Sequence, residues 1–254
     1  MNDKSILTKT DGTIEWIIFN QPEKLNCLTK KDLLQIKQHL KRISSNENIR
    51  VVIFTGSGNK AFSAGMDFNE FNQLTPMDAH SLISDLKTVC ELIRKIPQPV
   101  IMGINGYCIG GAMEMCMAAD IRVAVKNAVF SMPEIQLGIP SVLDSVLLQQ
   151  HVGLSLAKEM LLTGNPINVE RMNQFGFLNA VVEESELMNK VEEYAKVFIE
   201  KPYLTLKQQK ELFETWQNSS LDYAISDSMN QFALAFTTEI PQKRLEDFIS
   251  KRRK

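Results

Sequence analysis

Two short segments, residues 51–55 (VVIFT) and 100–104 (VIMGI), run almost without a polar side chain. Side chains of a strand alternate between its two faces, so an unbroken apolar run must be covered on both. Each run follows an apolar repeat of helical period. Leu33, Ile36, Leu40 and Ile43 precede the first, with Thr29 placed as an N-cap. Leu82, Leu86, Val89 and Ile93 precede the second and stop at Pro97-Gln98-Pro99. Gly56-Ser57-Gly58 and Asn105-Gly106 close the two runs as turns. A further β-rich stretch, residues 13–20 (TIEWIIFN), ends at Gln21-Pro22, where proline removes a ladder donor. Strand, helix, buried strand, and then helix and buried strand again, predict an α/β fold built on parallel pairs.

Beyond Pro140 the pattern turns helical, with helices predicted over residues 141–152, 155–162, 168–175, 186–199, 202–216, 221–236 and 241–250. Only residues 180–182 (AVV) read as strand among them. No Gly/Ser/Pro-rich linker interrupts this region. We therefore expect a catalytic core over residues 1–184, and a helical C-terminal region, 185–254, that is not an independent domain.

At 254 residues the chain is long enough to bury a full core without staples. A net charge of -2 gives no electrostatic reason to expect nucleic acid as a partner. Cys27, Cys90, Cys108 and Cys116 show no CxxC spacing, and with three histidines no metal-site pattern arises. The cysteines read as free thiols of a reducing compartment, which points to a cytoplasmic protein. No signal peptide and no membrane partner are expected, since the first residues lack an apolar run and none reaches eighteen residues anywhere.

Chemistry is suggested by residues 103–140, where Gly110-Gly111 stands just ahead of Glu114 and Glu134 follows twenty positions later. The glycines suit a tight strand exit, and AMEMCMAA is a good helix former. A helix N-terminus offers unpaired N–H groups to developing negative charge. If Gly111 supplies one donor, the segment 63–66 (SAGM) is the best source of a second. Two such donors make an oxyanion hole, where removing one has cost about 2.7–4 kcal/mol in another enzyme. Each feature also has a plain reading. A first-turn glutamate is stabilised by the helix dipole, Pro-Glu is a common loop dipeptide, and 60–68 (KAFSAGMDF), too rich in small residues for an ordinary strand, can be a simple connection.

The ordered set KAFSAGMDF, INGYCIGGAMEMCMAADIRVA, FSMPEIQLGIP and LLTGNPINVERMNQFGFLNAVV resembles the enoyl-CoA hydratase/isomerase (crotonase) superfamily. The resemblance extends to residues 22–26 (PEKLN) and the terminal FISKR. It implies a spiral of ββα turns with a helical C-terminal region that builds homotrimers, commonly paired into hexamers. It implies an acyl-CoA thioester substrate, coenzyme A being part of that substrate and no separate cofactor being needed. The positions matching Met66 and Gly111 would hold the thioester oxygen through their backbone N–H groups. Ala64 and Asp67 match flanking positions that contact coenzyme A or shape its loop, and Lys24 is either a phosphate contact or a solvated loop lysine. Glu114 would activate water for attack at Cβ, and Glu134 would deliver a proton to Cα. Keeping both glutamates favours hydration of a 2-enoyl-CoA over double-bond isomerisation, another enolate reaction or a non-catalytic acyl-CoA-binding role.

Hydratases of that family carry Ile-Pro-Gly-Ala-Gly-Gly after the second glutamate, whereas this chain has Ile139-Pro140-Ser141-Val142-Leu143-Asp144 and is one residue shorter. Val142 and Leu143 are expected to reshape the acyl pocket. Ser141-x-x-Asp144 reads as a capping box opening the next helix, with Asp144 as a third catalytic carboxylate the alternative. Met66 stands where alanine is common, which a backbone donor tolerates. Leu74, Met77 and Leu82 read as core or as acyl-pocket wall.

Overall fold

The computed structural model describes residues 4–252. The chain opens with an antiparallel pair, β1 (Ile6–Asp11) and β2 (Ile14–Phe19), followed by α1 (Lys30–Ser44), β3 (Val51–Gly56) and β4 (Ala61–Ser63). Next come α2 (Pro76–Lys95), β5 (Val100–Ile104), β6 (Tyr107–Ile109), α3 (Gly111–Ala118), β7 (Ile121–Val125) and β8 (Val129–Ser131). Then follow α4 (Leu148–Thr163), β9 (Ile167–Asn168), α5 (Val169–Gln174) and β10 (Ala180–Val182). The helices α6 (Leu187–Ile199), α7 (Tyr203–Asn218), α8 (Leu221–Ala235) and α9 (Ile240–Arg252) complete the described chain.

The strands form a six-stranded sheet, ordered β1-β2-β3-β5-β7-β10, and a four-stranded one, β4-β6-β8-β9. In the larger sheet every pairing from β2 onward is parallel. Consecutive strands β3/β4, β5/β6 and β7/β8 each place one strand in the larger sheet and the next in the smaller. With α2 and α3 returning the chain, this is the expected spiral of ββα turns. The runs 51–55 and 100–104 lie side by side at its centre, buried along their lengths.

Helix periodicity predicts α1 and α2 well because each buries one apolar stripe, Leu33, Ile36, Leu40 and Ile43 on α1 and Leu82, Leu86, Val89 and Ile93 on α2. Thr29 caps α1 as predicted, in a reciprocal box with Asp32, and Thr75 with Asp78 does the same for α2. Other predictions need correction. Residues 61–63 form a strand, because their neighbours in the smaller sheet supply a ladder too short to show a sequence period. No capping box forms between Ser141 and Asp144. Residues 143–147 make a turn of 3-10 helix capped without side-chain help, and α4 begins only at Leu148. Ser141 instead donates to Glu134, and Asp144 pairs with Arg94.

Buried polar groups fix the loops that frame the site. Asn26 accepts from the Gln21 N–H at 2.9 Å and donates to the carbonyls of Ser57 at 3.0 Å and Ala61 at 2.8 Å. This knot lays residues 25–28 along residues 64–67, where Ala64 N–H meets Leu25 O, Leu28 N–H meets Gly65 O and Asp67 N–H meets Leu28 O. At the other end, Lys210 of α7 is buried and donates to the Ile93 and Gln98 carbonyls and, at 2.6 Å, to Asp120. α6 rides directly on β5, with a Val191 methyl 3.3 Å from where a Cβ on Gly103 would stand.

Replacing Asn26 with alanine strands one donor and two acceptors, so Asn26→Ala is expected to lower the unfolding free energy by about 3 kcal/mol. Urea denaturation checks this as a lower midpoint at unchanged slope.

Candidate active site

The site is set by how closely two loops approach. Gly65 has φ +84, and a Cβ there would fall 2.6 Å from the Ile109 carbonyl oxygen and 3.3 Å from the Gly111 nitrogen. The start of α3 therefore abuts the loop after β4, and only glycine fits between them. Gly110 turns with φ 54 and ψ -123, and a Cβ on it would meet Glu134 Oε1 at 2.8 Å. Among the described residues, neither the Met66 nor the Gly111 N–H has a hydrogen-bond acceptor. Gly111 opens α3, so its N–H is one of those a helix start leaves unpaired.

Glu114 lies in the first turn of α3 and is only 3% exposed. Its Oε1 accepts from Ser145 Oγ at 2.8 Å, while Oε2 is buried with no hydrogen-bond partner. Burial, followed by the charge of Glu134, pushes its pKa from 4.5 to about 8 against the opposing pull of Ser145 and the Val142 backbone. Glu134 sits in the 3-10 turn Pro133–Leu137, half-buried, and its Oε2 accepts from Ser141 Oγ at 3.0 Å. Burial raises its pKa as well, opposed by its own backbone N–H and by Ser141. Two carboxyl groups that hold protons more tightly than usual, beside N–H groups open to an anion, can exchange protons with a substrate whose oxygen gains charge.

An apolar cavity of about 420 Å³ opens beside them, lined by Met66, Phe71, Leu74, Leu82, Leu86 and Val142 among others. Leu86 Cδ2 comes within 3.0 Å of the Cβ position of Gly111, so the cavity wall reaches the start of α3. Met77 does not line it and is 77% exposed. Val142 also borders a second cavity of about 640 Å³, between residues 141–149 and α4.

The structure thus brings Met66, Gly111, Glu114 and Glu134 together. Ala64 and Asp67 flank them, the Asp67 carboxylate accepting from the backbone and side chain of Asn69 and so holding its own loop. Lys24 is exposed on the turn 22–24. Asp144 is not available as a third acid–base group, because Arg94 holds its buried carboxylate. Sequence reading misses Ser141 and Ser145 as the partners of the two glutamates. The only signal is the loss of glycines in this segment, which marks a difference without indicating which side chains turn inward. No group of residues able to hold a metal ion occurs among the described residues.

Residues 9–254 match the family described as enoyl-CoA hydratase/isomerase. The chain is 31% identical over 251 residues to a crotonyl-CoA hydratase of Syntrophomonas wolfei, covering 98% of this chain and 96% of that one. It is 29% identical over 254 residues to a short-chain-enoyl-CoA hydratase of Clostridium acetobutylicum, covering 100% and 97%. A crystal structure of an enoyl-CoA hydratase from Bacillus anthracis superposes with a TM-score of 0.92 at 27% identity, over 98% of this chain and 97% of that one. Fold and sequence agree over nearly the whole length, and the chain belongs to the enoyl-CoA hydratase/isomerase (crotonase) family.

Proposed function

We propose that the protein adds water across the double bond of a 2-enoyl-CoA thioester to give the 3-hydroxyacyl-CoA. The observation that carries this reading is the convergence of two proton-retaining carboxyl groups on two unbonded backbone N–H groups, beside an apolar cavity. The relatives named as hydratases support it.

The thioester oxygen sits against the Met66 and Gly111 N–H groups, which take up charge as the enolate forms. Glu114, as carboxylate, accepts a proton from water while the oxygen bonds to Cβ; Glu134, as acid, gives its proton to Cα. One water is added, and passing the proton from Glu114 back to Glu134 restores the starting pair. The pair must therefore hold one proton in total, and its titration belongs to both residues. Ala64 and Asp67 shape the rim where coenzyme A enters as part of the substrate, and the apolar cavity takes the acyl chain.

One observation favours a second reading. Burial and the charge of Glu134 raise the Glu114 pKa to about 8, which favours a proton on Glu114, and a reaction run by the other carboxyl alone is what a shift of a 3-enoyl to a 2-enoyl double bond needs.

We assign residues 185–254 to assembly, as a homotrimer or a hexamer made of two trimers. Leu221, Met229 and Phe232 of α8 are 74%, 69% and 70% exposed, a surface suited to burial against another chain. The free thiols of all four cysteines suit a reducing compartment, and we place the protein in the cytoplasm. No helix among the described residues is long and apolar enough to cross a membrane.

Purified protein is expected to hydrate crotonyl-CoA or a longer 2-enoyl-CoA, and Glu114→Gln and Glu134→Gln should each lower kcat by about 10²–10⁴-fold with acyl-CoA binding retained. Binding without water addition across a panel of 2-enoyl esters counts against hydration, and turnover of 3-enoyl esters in the same panel assigns the site to isomerisation. The pH profile of kcat/KM is expected to fall above a pKa of about 8, where the pair loses its last proton. The same group affects stability. Its folded pKa of about 8 exceeds the ordinary 4.5, so its contribution is full below 4.5 and disappears as pH rises through 8. Urea midpoints measured across that window should fall in the wild type and fall less in Glu114→Gln. Sedimentation should give a particle of three or six chains, and a monomer at micromolar concentration would exclude the assembly proposed.

A further inference from the structure

The segment after Glu134 is held in an unusual way. Leu143 has φ 50, a left-handed backbone that residues with a side chain avoid, and the next residue, Asp144, is 4% exposed. Its carboxylate pairs with Arg94 of α2, whose Nε lies 3.4 Å from Glu214 of α7. Immediately after it, Ser145 is 5% exposed and directs its hydroxyl to Glu114 Oε1 at 2.8 Å. Strained backbone, buried ion pair and buried hydroxyl occupy three successive residues, and the last touches a glutamate of the site.

We infer that Ser145 is a positioning residue for Glu114, and that the Arg94–Asp144 ion pair keeps it there by holding Leu143 in its left-handed turn. The inference rests on Glu114 being the base of the proposed hydration. Ser145 occupies Oε1, so the unpartnered Oε2 is the oxygen left to meet water. A hydroxyl donor also favours the charged carboxylate that a base requires. Without it, Glu114 keeps its burial and its acidic neighbour and loses the main group opposing them. The other ionisable groups around Glu114 are Glu134, the Arg94–Asp144 pair and Cys90 of α2, whose thiol burial keeps protonated. Arg94 is shared between Asp144 and Glu214, and of the groups that oppose burial at this carboxyl the Ser145 hydroxyl is the larger and the Val142 backbone the smaller.

The test compares Ser145→Ala, Ser145→Thr and Asp144→Asn with the wild type in two ways. The first is steady-state hydration of crotonyl-CoA. Ser145→Ala is expected to lower kcat about ten- to a hundredfold, as loss of a hydrogen bond to a charged group does, with KM within about twofold of wild type. Ser145→Thr should recover most of the rate. Asp144→Asn should lower kcat in the same manner, and adding Leu143→Gly, which frees the turn of strain, should restore part of it. The second readout needs no turnover: infrared titration of ¹³C-glutamate-labelled resting protein, with Glu114→Gln assigning the band. Ser145→Ala should move the Glu114 midpoint upward, and threonine should return it. Unchanged rate and midpoint in Ser145→Ala would overturn the inference, as would a loss that threonine fails to repair. If the wild type hydrates no enoyl ester, the proposed reaction fails, while the infrared titration still decides whether Ser145 controls Glu114.

Discussion

The contact between Gly65 and the Ile109–Gly111 turn is the constraint on which the rest of the site depends. A single methyl at Gly65 would strike the Ile109 carbonyl, so the loop after β4 and the start of α3 can meet only because that position has no side chain. The contact is supported from behind. Residues 25–28 run along the Gly65 loop, Asn26 pins them from a buried position, and β4 pairs with β6 in the smaller sheet. Moving any of these would change how the unbonded Met66 and Gly111 N–H groups stand relative to one another.

Burial around this contact does two opposite things. It raises the cost of charge on Glu114 and Glu134, which makes them retentive of protons, and it strengthens any dipole aimed at a charge that forms there. The serines at 141 and 145 moderate the first effect without disturbing the second, because each donates to one carboxylate oxygen and leaves the backbone N–H groups alone. Burial thus raises the proton affinity, and neutral donors, the two hydroxyls and nearby backbone N–H groups, draw it part of the way back. A cationic partner would have pulled the carboxyl pKa values back down further.

Much of this is legible in the order of the residues. α1 and α2 carry one apolar stripe each, and β3 and β5 are apolar on both faces, so their periods survive inspection. The pairing of a glycine turn with Glu114 can be read because both lie on one short helix. β1 escapes because only Ile6 of it is buried, and β4, β6 and β9 because two or three residues show no period. The supports of the carboxylates are beyond reach for another reason: Ser145 and Glu114 are 31 positions apart and Arg94 and Asp144 are 50 apart, and nothing local encodes that they meet. Segment 141–144 reads as a helix start because its residue types suit one. Tertiary partners claim both side chains first.

α2 touches more of this than any one of its roles suggests. One face, through Leu82 and Leu86, is a wall of the apolar cavity; near its end Arg94 grips Asp144; and the Ile93 carbonyl receives Lys210 from α7. A rigid rod fixed at three such points has little freedom to slide or roll. The width of the cavity and the support beneath the buried glutamate are therefore mechanically linked. A substitution that displaces α2 to widen the cavity also shifts the strut under segment 141–147.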